Sequence, residues 1–182
     1  MENTNTKPSS LQFVMKTGLL LGGLQIVFQL IEYFTGQKEK GGNAWMGGIF
    51  IVLYGVIGVV LLKKFRNNQL GGYITFGKAF SITLQFLVVA GILSTLFEFV
   101  FIHLLHPAII EATLKVQEAK LVTMGIPDAT IESQMKMSRM MITNPAIFII
   151  MGIVSSAIFG VIVGLIAGAI CKKETYNNIV SE

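Results

Sequence analysis

Four apolar stretches, each long enough to cross a bilayer, constrain this chain more than anything else in it. They run over 17–35, 45–62, 79–102 and 146–171. A hydrocarbon core about 30 Å thick takes roughly 20 residues at about 1.5 Å of helical rise each. Between them the four stretches hold two charges, Glu32 and Glu98. None shows sustained polar–apolar alternation, and a segment in lipid must satisfy its own backbone, so all four are expected to be helices. Composition agrees: 53% of the residues are hydrophobic and 13% charged, with the charges gathered in islands between the stretches. The expected fold is therefore all-α. It is a single transmembrane domain over 1–182, an integral membrane four-helix bundle with an extramembrane amphipathic αα-hairpin between the third and fourth spans.

The first stretch is read as a retained span, because no Ala-x-Ala-like cleavage site follows it and Gln25, Gln29 and Glu32 interrupt its apolar run. An even number of spans puts both termini on one face. That face collects Lys7, Lys16, Lys63, Lys64, Arg66, Lys78, Lys172 and Lys173, mostly in short dense segments. The other collects Lys38, Lys40, Lys115, Lys120, Lys136 and Arg139, four of them diluted by acids in the long connection. Both termini are accordingly expected in the cytoplasm. The formal charge of +4 arises from these flanks, without a basic stripe interleaved with aromatics, so the expected partner is the lipid bilayer and no nucleic acid. A lone cysteine, Cys171, excludes an internal disulfide, and lipidation there is disfavoured.

The connection reads as two helices over about 107–142. Pro107 suits a first turn; Ile110, Leu114, Leu121 and Met124 share a face; Gly125 offers a stop. Asp128 is an N-cap candidate for the second helix, which carries Ile131, Met135, Ser138 and Ile142 on one face and ends at Asn144-Pro145. Met135, Met137, Met140 and Met141 could bind Cu(I), but methionine is more often a flexible filler on apolar faces. Gly41-Gly42 and Gly71-Gly72 are expected to be turns.

Two patterns could carry function. Gly18, Gly22, Gln25, Gln29 and Glu32 draw a seam along the first span that should face protein, with Gln85 as one possible partner. Gly152, Ser156, Gly160, Gly164 and Gly168 form a ladder at every fourth position of the last span. It is a face for close helix contact, either inside the bundle or between subunits. Glu32 and Glu98 fall near the outer ends of their spans, with His103 and His106 just above, so the four could share an outer pocket and form a polar or proton site. Structural roles are the simpler explanation, and no metal or other cofactor is expected. Catalytic signatures such as His-Glu-x-x-His or Gly-x-Ser-x-Gly are missing, and no enzyme activity is expected.

The layout resembles a known family of small four-span bacterial membrane proteins, the domain of unknown function 4199 family. The resemblance rests on the Tyr73-Ile74-Thr75-Phe76-Gly77-Lys78-Ala79-Phe80 lead into the third span, on His106-Pro107, and on the Glu- and Met-rich hairpin before a Gly-rich last span. It covers residues 10–173, implies a bacterial inner membrane, and implies no activity and no functional residues. The leading functional expectation is a structural or accessory membrane subunit packing through the small-residue face, as a homo-oligomer or with a membrane protein partner. A small oligomeric carrier or ion channel using the outer carboxylates comes next, and a membrane enzyme or metal site last.

Overall fold

The computed structural model describes residues 10–38, 40 and 44–173. Lys7 and the Gly41-Gly42 turn lie outside the described residues. Six helices follow one another: α1 (Ser10–Phe34), α2 (Ala44–Gln69), α3 (Phe76–Val100), α4 (Ala108–Thr123), α5 (Asp128–Thr143) and α6 (Pro145–Cys171). A π-helical turn, Phe101–Leu105, extends α3. Four helices are long and apolar enough to cross a membrane; the first three run past the expected spans into charged flanks, and the fourth matches its expected span to within one residue. α2, for example, carries Lys63, Lys64 and Arg66 in its last turns.

Local chemistry sets the boundaries. Gly71 and Gly72 adopt φ of 67° and 89°, a left-handed turn that glycine enters without strain, and Thr75 then caps α3 by accepting from the Lys78 N–H at 3.4 Å. In the hairpin, Gly125 (φ 71°) ends α4 as expected. Asp128 is the first residue of α5 rather than its cap, because Pro127 already occupies the extended cap position. Asn144 closes α5 and opens α6, its Oδ1 accepting from the N–H groups of Ala146 and Ile147 at 3.1 and 3.2 Å.

α3 is the central helix, packed against α6 on one side and α1 on the other, while α2 is seated loosely. Lipid tails are as apolar as leucine, so such helices hold together by close packing rather than by apolar burial. The ladder on α6 supplies that closeness to α3: a Cβ at Gly152 would collide with Thr95, at Gly160 with Leu84, at Gly164 with Phe80 and at Gly168 with Phe76. Ser156, the remaining rung, would be struck by a Cβ on Gly91. Of the two arrangements open to the ladder, the structure shows contact inside the bundle. On α1, Gly18 and Gly22 do the same against Val89 and Leu93.

The ends of α1 and α6 within the described region lie at the same end of the bundle. There Phe13 stacks on Phe65, Arg66 donates to the Cys171 carbonyl at 2.8 Å, and Ile74 and Lys173 exchange two backbone hydrogen bonds of 3.0 and 2.9 Å. The main core fills this half, with Leu21, Leu62 and Phe86 fully buried. The opposite faces of α2 and α6 are apolar and uncovered, as at Val52, Val60, Ile158 and Ile162, which suits them to hydrocarbon.

Candidate functional site

At the hairpin end the helices part. Between α2, α3 and α6 lies a cavity of about 550 Å³, within the range of about 300–1,000 Å³ typical of small-molecule sites. Gln25 of α1, Tyr54 of α2, Ser94, Thr95 and Glu98 of α3 and Ser155 of α6 give it polar groups, and Phe50, Phe148 and Phe159 give it aromatic faces. Ser94 donates back to the Gly91 carbonyl at 3.1 Å, which satisfies a hydroxyl buried among apolar helices. Ile51, Met151 and Ser155 line the cavity and are also exposed, so its mouth opens sideways between α2 and α6. The end of α5, through Met141 and Ile142, closes the hairpin side.

Glu98 stands at the rim. Gly36, at φ 67°, turns the chain after α1 so that the N–H groups of Gln37 and Lys38 donate to the Glu32 carbonyl at 2.9 and 3.1 Å. That turn delivers the Lys38 ammonium to Glu98 Oε1 at 3.0 Å and places it 5.8 Å from the centre of the Phe101 ring. Glu32 feels the charges of both Lys38 and Glu98.

The two histidines diverge. His106 Nδ1 lies 3.1 Å from the Tyr33 hydroxyl on α1, whereas His103 faces α5 and α6, with Nε2 2.8 Å from the Ile142 carbonyl and its ring edge-on to Phe148. A π-helical turn, Phe101–Leu105, runs through this stretch. It widens the helix between them, closing with the His106 N–H on the Phe101 carbonyl at 2.8 Å. The expected pocket of two acids and two histidines is therefore not assembled. Among the described residues, no three His, Cys, Asp or Glu side chains gather closely enough to hold a metal.

The α1 seam does face protein: Gly18 and Gly22 are buried on α3, Gln25 reaches the cavity, and Gln29 Oε1 is buried with no hydrogen-bond partner among the described residues. Its suggested partner is corrected. Gln85 is exposed and donates to Ser81 at 3.0 Å on its own helix, because α1 and α3 run parallel and Gln85 lies toward the opposite end from the two glutamines. Sequence reading missed Lys38, taken only as a flanking charge, and the hydroxyls of Ser94, Thr95 and Ser155, while Ser156 entered only as a rung of the ladder. Adjacent hydroxyls, Ser94-Thr95 and Ser155-Ser156, in otherwise apolar spans were the available signal.

In the comparisons with known proteins, a family model described as a protein of unknown function, DUF4199, matches residues 16–173. No curated protein matches the chain, and no solved structure does.

Proposed function

We propose that this chain, which belongs to the DUF4199 family of proteins of unknown function, is a small membrane carrier or binding protein whose site is the cavity beside Glu98. It has no catalytic role in this reading and sits in a bacterial inner membrane with both termini in the cytoplasm. The cavity is the observation that carries the proposal. It is ligand-sized, it joins aromatic walls to a few convergent polar groups, and it opens toward the bilayer. The accessory-subunit reading is weaker, because the face meant to recruit a partner is covered by α3 of the same chain.

The test is thiol accessibility in membrane vesicles. Ser155 lines the cavity, and Ile158, nearly one turn further along α6, points outward with 59% of its surface exposed. Alkylation needs a thiolate and hence water. N-ethylmaleimide should label Ser155→Cys readily and Ile158→Cys slowly, with the buried native Cys171 as background. Equal, slow labelling of both would mean a closed and dry site, and would return the accessory-subunit reading to first place.

A further inference from the structure

We infer that the occupant of the cavity is a lipophilic monovalent cation, an ammonium or phosphonium centre on an apolar body, and that Lys38 is a tethered competitor for its place at Glu98. The inference rests on the reading of the cavity as a binding site.

Three observations lead there. The charged group lining the cavity is Glu98; among the described residues no Lys, Arg or His lines it. Phe50, Tyr54, Phe148 and Phe159 are among its walls, and aromatic rings attract cations most when water is excluded. An ammonium already occupies this kind of position: Lys38 Nζ sits on Glu98 Oε1 and within reach of the Phe101 face, with only 14% of its side chain exposed. The hydrogen bond from Lys38 uses Oε1 of Glu98, and no donor to Oε2 is found among the described residues.

The same features exclude neighbouring classes. A carboxylate or phosphate, including that of a phospholipid headgroup, would meet a carboxylate at the rim and no lining cation among the described residues. A divalent metal would need a cluster of acids, histidines or cysteines, and none gathers here among the described residues. A hydrophobic monovalent cation uses both the charge and the rings, and arrives through the side opening without leaving the bilayer.

Tetraphenylphosphonium and tetraphenylborate, similar in shape and opposite in charge, provide the test as radiolabelled probes of the full chain in detergent. The phosphonium should bind saturably and the borate should not. Glu98→Gln should weaken phosphonium binding at least about ten-fold; Lys38→Gln should tighten it several-fold; Ser155→Trp, which fills the mouth, should abolish it. Because Lys38→Gln predicts a gain, misfolding cannot imitate it.

Phosphonium binding indifferent to both Glu98→Gln and Lys38→Gln overturns the inference. Saturable borate binding that Ser155→Trp abolishes overturns the cation and leaves the cavity standing as a site. If neither probe binds, the cation is again overturned, and maleimide labelling of Ser155→Cys then decides whether the binding-site reading falls with it.

Discussion

The two ends of this bundle are built from the same four long helices and behave differently. At the end that carries Ser10 and Lys173, glycines seat on aromatic rings, Arg66 ties α2 to α6, and Ile74 pairs with Lys173. At the hairpin end, Ser155 and Ser156 join Gly152 on α6, α2 stands away, and the space between is a cavity rimmed by an ion pair. The difference teaches that apolarity decides which segments can enter a membrane, while residue size, face by face, decides where they close.

The sharpest way to break that contrast is on α6 itself. Gly164 faces Phe80, with a Cβ reaching 3.0 Å from its ring and 3.3 Å from its backbone carbonyl, so Gly164→Leu forces α3 and α6 apart. It should lower stability in detergent by about 3 kcal/mol, an overpacking cost, in thermal unfolding followed by circular dichroism. Ser155→Leu, nine residues earlier and facing the cavity, should stay within about 0.5 kcal/mol of wild type. Equal losses would mean that the hairpin end is as tightly closed as the other.

Next in size are the ties at each end. Arg66→Ala leaves the Cys171 carbonyl without its donor and should cost about 1 kcal/mol. Asn144→Ala removes the cap of α6 and should cost about the same. The contrast sharpens if the loss from Asn144→Ala appears as faster proteolysis within 107–143, sparing the helices that pack on α3.

The smallest effect belongs to the exposed hairpin. Arg139 donates to both carboxylate oxygens of Glu111 at 2.6 and 2.9 Å, and this hydrogen-bonded pairing holds the Glu111 carboxyl below its usual range. A lowered folded-state pKa gives stability that is present above the ordinary carboxylate range and lost as pH falls through the lowered value. Wild type and Glu111→Gln should therefore differ slightly at neutral pH and converge in acid. High salt should erase the difference, since the pair is exposed to solvent.

The spans were legible because length and apolarity are properties of the chain itself. So were the hairpin's limits, where Pro107, Gly125 and Asn144-Pro145 act locally. The ladder's closeness was legible but its partner was not, since a small-residue face is the same whether the facing helix belongs to this chain or another. His103 and His106 reach different helices because a π-helical turn, which no local residue signals, runs between them. Gln85 does not meet the glutamines of α1 because it lies at another depth of the bundle. The cavity had no sequence signature of its own, because it arises from how far α2 stands from α3 and α6.

The order in which the long helices leave the ribosome is not the order in which they pack. α1 presents Gly18 and Gly22 to α3, so during insertion that face must wait, beside a loosely held α2, until the third helix is synthesised. α3 in turn waits through the whole hairpin for α6. Biogenesis of this protein is thus expected to pass through a two-helix intermediate with an unfilled seam, the stage at which an insertase or membrane chaperone has most to protect. Nascent chains ending at Gln69 should be degraded faster than chains that extend through α3, and equal lifetimes would show that α1 and α2 shelter each other after all.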